Sequence, residues 1–269
     1  MDRTATFDII AEKYDASFSE SLTGKEQRNQ SRKHLWRFLS GKKNLQVLEI
    51  NCGTGEDAFW LASLGHTVTA TDQSAEMIRM AENKSRDHLQ NNFPRFIQCS
   101  FEELANTFPE KQYDLIFSNF AGLNCVEPGK LADLKTGIQS LLKENGRLAV
   151  VLFGKYTVWE TFYYLLKADF RKAFRRWSHK EKSVLLAGDV YQPVYYYSPS
   201  RFTKLLRPMK RELKKPVGVA VPPSYLEQAM QKRTGLFRFL TNLDRRLCRF
   251  SVMSSIADHT FLLFKNQAS

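Results

Sequence analysis

Five short apolar runs mark the first 153 residues, and each is closed by a turn before a stretch of helical spacing begins. Gln46-Val47-Leu48-Glu49-Ile50 ends in Asn51-Cys52-Gly53-Thr54-Gly55. Thr67-Val68-Thr69-Ala70-Thr71 is closed by Asp72. Residues 95–99 and 113–117 follow, then 147–153, the longest and most apolar run. Helical patterns lie between them over 56–64, from the N-cap Ser74 to about Leu89, and over 130–142. Strands alternating with helices of this length predict βαβ units and a mainly parallel sheet. Ahead of the first strand, residues 5–39 read as helical, with apolar positions from Ile9 to Leu39.

The rhythm changes after Gly154. Trp159, Phe162, Tyr163, Leu166, Phe170, Phe174 and Trp177 recur at three- and four-residue steps, which predicts one continuous helical face. Tyr191 to Tyr197 is strand-like, and Ser198-Pro199-Ser200 opens a short helix through Leu206. Pro216–Val221 and Asp258–Phe264 are the last expected strands, with a basic helix over about Tyr225–Phe250 between them. The expected fold class is α/β: a doubly wound, mainly parallel seven-stranded sheet with an N-terminal helical segment and a helical insertion after the fifth strand. The expected parts are an N-terminal helical cap (1–45), a cofactor-binding core (46–153), an aromatic and basic substrate cap (154–215), and a completion of the sheet (216–269).

Charge sharpens this division. The chain of 269 residues carries a formal +12. Residues 1–154 hold 18 basic and 20 acidic side chains, whereas 155–250 hold 21 basic and 7 acidic, a net +14. Such asymmetry points to an anionic partner. The four cysteines, Cys52, Cys99, Cys125 and Cys248, show no zinc spacing and no disulfide framework. No apolar run is long enough to cross a bilayer, and the N-terminus lacks the order of a signal peptide, so a cytoplasmic location is expected.

The candidate chemistry sits at the first strand and its turn. Glu49 is a carboxylate in a strand that should be apolar throughout, and burying it is costly without a partner. Gly53 and Gly55 let the backbone approach a ligand, and Asp72 ends the neighbouring strand where a carboxylate suits a ribose. Gly53-Thr54-Gly55-Glu56-Asp57-Ala58 also fits the dinucleotide fingerprint. Three details disfavour NAD. Glu49 would repel a pyrophosphate, Glu56 and Asp57 occupy the helix start where one should bind, and a long helical segment precedes the strand. A cofactor bearing an ammonium group would instead face Glu49.

Val47-Leu48-Glu49-Ile50-Asn51-Cys52-Gly53-Thr54-Gly55 resembles motif I of the class I S-adenosylmethionine-dependent methyltransferases, of the type 11/25-like kind. Phe7-Asp8-Ile9-Ile10-Ala11-Glu12-Lys13-Tyr14-Asp15 resembles their N-terminal signature, whose Tyr closes over the cofactor. Thr71 to Met77 resembles the ribose-binding segment, Cys99 to Leu104 the adenine-contacting one, and Tyr113 to Phe120 the fourth strand with its substrate-facing end. The likeness covers residues 7–153. It departs at Asn51, where a first Gly is usual, and at Ser100, where an Asp is common. The resemblance implies S-adenosylmethionine as cofactor, held by Tyr14, Glu49, Asn51, Gly53, Gly55, Asp72, Gln73, Met77, Ser100, Phe101 and Asn119.

The implied reaction is methyl transfer from the sulfonium to an acceptor. No catalytic residue stands out. His34, His179, His259 and Tyr195-Tyr196-Tyr197 are the candidates for a base, and no metal site is expected. Ser118-Asn119-Phe120-Ala121 lacks the N-P-P-Y pattern of amino-methylating nucleic-acid enzymes, and no carboxylate cluster marks a magnesium site. The expected acceptor is a small molecule, or a lipid-like or carrier-bound one, apolar or anionic. Peripheral contact with an anionic membrane is an open reading, and nucleic acid is the less expected partner. An RNA methyltransferase and an adenosylmethionine-binding protein without transfer activity are the alternatives.

Overall fold

The computed structural model describes residues 7–87, 92–178, 181–187 and 190–267. Seven strands form one sheet: β1 (Gln46–Ile50), β2 (Thr67–Asp72), β3 (Arg95–Gln98), β4 (Tyr113–Ser118), β5 (Leu142–Phe153), β8 (Lys210–Val217) and β9 (His259–Lys265). Their order is β3-β2-β1-β4-β5-β9-β8, and only β9 runs against its neighbours. A separate hairpin joins β6 (Lys182–Ala187) to β7 (Val190–Val194). This is the Rossmann-like α/β architecture, with β1 and β4 side by side at the point where the strand order reverses.

Side chains alternate across the pleat, so a strand covered on both faces must be apolar at every position. In β5, Leu148, Val150 and Leu152 enter one apolar layer with Ile116, Leu262 and Phe264. Ala149 and Val151 enter the other with Leu115, Phe117 and Phe261. The helix Leu22–Leu39 closes the second layer through Leu35 and Leu39.

Several elements differ from the sequence pattern. The N-terminal helical stretch is broken: Ala11–Tyr14 runs into a wide turn at Asp15–Ser19, and Ser21 then caps Leu22–Leu39 by accepting from Gly24 N at 2.9 Å. The helix after β2 is Ala75–Asp87, and the last two residues expected in it lie outside the described residues. The final strand before β9 is Lys210–Val217 rather than Pro216–Val221, so β8 straddles the expected boundary at 215/216. Its pattern is masked by Lys and Arg, because the first half of this edge strand, Lys210–Glu212, is exposed on both faces and only Lys215–Val217 is buried. The β6–β7 hairpin was not expected as such, and Tyr195–Tyr197 continues past its end outside any strand.

The continuous helix expected over Trp159–Trp177 is three pieces: Val158–Leu166, Phe170–Ala173 and a turn at Arg175–Trp177. Ala168 with φ 55° and the cap Asp169 reverse the chain between the first two. The basic helix over Tyr225–Phe250 is likewise divided, into Glu227–Gln231 and Thr234–Leu247. Apolar spacing survived these breaks because each piece keeps its own phase.

Candidate functional site

β1 delivers Glu49 to the carboxyl end of the sheet. Its carboxyl is 2 % exposed, and Oε2 has no hydrogen-bond partner among the described residues. Burial holds its pKa well above the usual carboxylate range; Asp57 and Asp72 add to this, while Arg28 and Arg32 oppose it. An unpaired buried carboxyl at a ligand-facing strand end is suited to a ligand cation.

The turn after β1 is built on left-handed backbone. Asn51 has φ 59°, Gly53 φ 55° and Gly55 φ 83°. Asn tolerates this region better than other non-glycine residues, which explains how it stands in for glycine. Its side chain also ties the ends of β1 and β4: Nδ2 donates to Asn119 O at 2.8 Å, and Ser118 Oγ donates to Oδ1 at 2.6 Å. At Gly55 an added Cβ would lie 2.7 Å from the Phe96 ring. Asp72 lies against the same turn. Its Oδ2 accepts from Gly53 N at 2.9 Å and its Oδ1 from Ser74 N at 3.0 Å, while burial raises its pKa.

The N-terminal segment folds down onto the turn. The Tyr14 ring comes within 3.6 Å of the place a Gly53 Cβ would occupy, and burial pushes its phenol up to about 12. Two neighbours that sequence reading left unassigned hold the segment. Asp15 accepts from Thr54 Oγ1 at 2.6 Å and pairs with Lys84 at 2.7 Å. Asp8 accepts from Ser74 Oγ and from Glu76 N, the latter at 3.3 Å. The spacing of these carboxylates around Tyr14 was the available signal.

The other expected cofactor residues lie along the same edge. Gln73 follows β2 and takes a 3.2 Å bond from Gln98 Nε2 on its backbone oxygen. Met77 is buried on the next helix, and Phe101 follows β3 and packs against the core. Ser100 Oγ donates to Glu103 at 2.7 Å, an arrangement that caps a local turn. Asn119 is brought to the site by β4, but its side chain turns inward, donating to Asp57 at 2.8 Å. Asp57 also pairs with Arg28 and Arg32, each at 2.6 Å. Burial pushes Asp57 up, but the two guanidiniums hold its pKa low. Glu56 pairs with Lys84 at 2.8 Å, so both acids of the helix start are consumed by internal pairing. Arg28 is buried with its Nε unpartnered, and its guanidinium lies 4.9 Å from the Phe120 ring. Arg28 was not found from the sequence, because a buried arginine looks like any polar position on a helix.

Beyond the turn stands an aromatic wall. Phe120 meets Phe18 at 4.8 Å and His259 at 5.7 Å between ring centroids. Phe153 meets His259 at 5.0 Å and Tyr196 at 6.0 Å. Phe120 and Ala121 have φ 45° and 67°, consecutive left-handed non-glycine residues right after β4. Such strain persists where the surroundings over-determine it, as at substrate-facing ends.

Behind the wall, Arg176 pairs with Glu160 at 2.7 Å and Asp258 at 3.1 Å, and lies over Phe153 and Tyr196. Arg175 pairs with Glu160 at 2.5 Å. Much of the apolar cap surface faces outward instead of lining a pocket, with Phe162, Leu166, Phe170, Phe174 and Trp177 all exposed. A cleft of about 660 Å³ lies between the cap and the hairpin, lined in part by Arg171, Lys172, Arg175, Lys182 and Tyr196.

Of the candidate bases among the described residues, only His259 and Tyr196 reach the wall. His34 Nε2 donates to Pro216 O at 2.9 Å, away from it, and Tyr197 OH donates to Val126 O at 2.9 Å inside the core. Tyr195 OH bonds Glu181 at 2.5 Å, and His179 lies outside the described residues. Burial depresses the pKa of His259, opposed by Asp258, whose carboxylate lies 3.4 Å from Nδ1. Among the described residues no helix is long and apolar enough to cross a membrane.

Residues 47–146 match the family model described as a methyltransferase domain. The tRNA 5-carboxymethoxyuridine methyltransferase of Escherichia coli K12 is 27 % identical over 252 residues, covering 90 % of this chain and 89 % of that one. A malonyl-[acyl-carrier protein] O-methyltransferase of Ilyobacter polytropus is 30 % identical over 56 % of each chain. A solved S-adenosylmethionine-dependent methyltransferase of Methanosarcina mazei superposes with a TM-score of 0.60 at 18 % identity, covering 85 % of this chain and 95 % of that one. The expectation against nucleic acid has no support, since the first relative is named for a tRNA nucleoside. Sheet order, turn and matched domain agree: residues 47–146 carry a methyltransferase domain, set on the fold of solved S-adenosylmethionine-dependent methyltransferases.

Proposed function

We propose that this enzyme methylates a carboxylate oxygen on an acceptor with an apolar or aromatic body, delivered on a carrier. The observation that carries this reading is the aromatic wall of Phe18, Phe120, Phe153, Tyr196 and His259 beside the glycine turn. It offers an apolar seat that keeps water from the reacting atoms. A carboxylate is already a nucleophile, so a wall without a strong base suffices. The carboxymethoxy and malonyl groups in the two relatives' names are both acids borne on a larger carrier. The cations Arg171 and Lys182 at the cleft beside Tyr196, with no carboxylate in ion-pair range among the described residues, suit the anionic part of such a carrier.

When bound, S-adenosylmethionine supplies an electrophilic sulfonium methyl, and the protein supplies orientation. The unpaired Glu49 fits its ammonium, and the unused Nε–H of Arg28 fits its carboxylate. Asp72 keeps lone pairs for ribose hydroxyls, and Tyr14 covers the turn. Asn51, Gly53 and Gly55 shape the cradle, with Gln73, Met77, Ser100, Phe101 and Asn119 along its edge.

Tritium-labelled methyl donor offered with lipid extract, carrier-protein thioesters and bulk tRNA tests the reading. Methyl esters release volatile methanol in mild alkali, whereas N-, C- and ether-linked methyl groups do not. Alkali-labile label supports the proposal, and stable label overturns it. A second reading, in which the carrier is tRNA, is favoured by the match along nearly the whole length of the E. coli relative. Label in the tRNA fraction alone selects it.

A further inference from the structure

The helix Thr234–Leu247 is oriented the wrong way round for an ordinary core helix. Leu236, Phe239, Leu240, Leu243 and Leu247 fall on one stripe at three- and four-residue steps. That stripe points outward: Phe239 is 64 % exposed, Leu236 and Leu243 are also exposed, and Leu240 and Leu247 are half-buried. Phe250 and Val252 extend the apolar surface past the helix end, Val252 with 71 % exposure.

The inward side of the helix is mostly polar, with Phe237 half-buried beside the buried Thr241, Asp244 and Cys248. Asp244 is fully buried and accepts the backbone N–H groups of Val219 and Ala220 at 2.5 Å each. Cys248 Sγ donates to Gln30 Oε1 at 3.1 Å, and Arg245 pairs with Glu26 at 3.0 Å. Hydrogen bonds and an ion pair thus fix the rotation of the helix and hold its apolar stripe in water, which soluble surfaces rarely tolerate over several large side chains.

Arg233 and Arg249 stand just beyond the two ends of the helix, Arg246 lies beside Phe239 and Arg238 farther round; all four are exposed, and none has a carboxylate in ion-pair range among the described residues. Asp244 is the helix's one acidic residue, and it is buried. We propose that Thr234–Leu247 is an interfacial helix that seats this enzyme on an anionic lipid surface. An apolar stripe rimmed by cations meets both layers of such a surface, acyl chains and headgroup phosphates. A second copy of this chain would bring two arginine rims together, and RNA would leave the leucines wet. The proposal stands apart from the nature of the acceptor.

The test is sedimentation of the full chain with vesicles of phosphatidylcholine alone or with 30 % phosphatidylglycerol, a mixture chosen for the assay at about 0.1 M salt. Three variants accompany it: Leu236→Gln/Phe239→Gln/Leu243→Gln, Arg238→Gln/Arg246→Gln, and a cap control, Phe162→Gln/Leu166→Gln. All substituted side chains are exposed, and unchanged circular dichroism and melting confirm each fold. The expected result is at least tenfold tighter binding to anionic vesicles, lost by about tenfold in each helix variant and kept in the cap control. No binding to anionic vesicles overturns the proposal. So does equal binding by the triple glutamine variant, or loss confined to the cap control. Retained cofactor binding in every variant shows that any loss belongs to the surface and not to the active site.

Discussion

Arg176 Nη1 and Asp258 Oδ1 lie 3.1 Å apart, a buried ion pair that joins the cap to the start of β9 across 82 residues of sequence. The basic cluster at Arg171, Arg175 and Arg176 therefore divides. Arg175 and Arg176 hold the cap to the body through Glu160 and Asp258, and Arg171 remains at the surface.

Charge removal should separate the two roles. Arg176→Met leaves the buried Asp258 without its guanidinium partner and Glu160 with Arg175 alone, and should cost about 3–5 kcal/mol of stability. Arg171→Glu should stay within about 0.5 kcal/mol of the parent protein. Urea denaturation monitored by tryptophan fluorescence reads both. A stable Arg176→Met protein would show that the ion pairs do not anchor the cap.

Cofactor binding should release a proton. Burial holds the pKa of Glu49 well above the usual carboxylate range, and an ammonium ligand favours its ionised form. Its pKa falls on binding, so affinity should weaken as pH drops. Calorimetry with adenosylhomocysteine in two buffers of different ionisation enthalpy measures the proton count. Glu49→Gln should weaken binding at least about tenfold and abolish the release. An unchanged proton count in that variant removes Glu49 from the pocket.

Asp72→Ala should lower cofactor affinity by at least about tenfold, through loss of charge-assisted bonds worth about 1.5–3 kcal/mol each. The structure adds a second effect. Asp72 also caps Gly53 N and Ser74 N, so melting should drop by several degrees while the fold persists. Full affinity in a folded Asp72→Ala protein would place the ribose elsewhere. Gly53→Val, at a left-handed residue under the Tyr14 ring, should also block binding.

His34 makes stability depend on pH. Burial lowers its pKa to about 4, well below the value of a free imidazole. The unfolded chain therefore binds the proton more readily, and stability falls as pH drops from about 6.5 toward 4. The loss should reach about 3 kcal/mol at the lower end. His34→Gln, which keeps a donor for Pro216 O, should flatten the curve over this window. Parallel curves for the two proteins would assign the acid sensitivity to other groups.

The sheet from β1 to β5 was legible because both of its faces are buried, and five apolar runs separated by turns leave few other readings. Glu49, Gly53 and Asp72 were legible because each breaks a local rule: a charge in a core strand, a glycine where backbone must turn left, an acid at a strand end. Arg28, Asp57 and Asp258 break no such rule. Their partners lie 29, 62 and 231 residues away, and long-range pairing leaves no periodic trace. Three- and four-residue spacing fitted Trp159–Trp177, but the left-handed Ala168 breaks the helix at a residue type that ordinarily favours one.

The strand β9 is last in sequence yet sits between β5 and β8. During synthesis, the glycine turn and the first five strands emerge from the ribosome well before it does. Until residues 258–265 arrive, β5 presents a bare apolar edge, and Arg176 waits for half of its counter-charge. The half of the site built on the glycine turn, proposed above as the cofactor cradle, is thus complete in a nascent chain that still lacks His259. A prematurely released chain would leave the aromatic wall unfinished and expose an edge prone to aggregation.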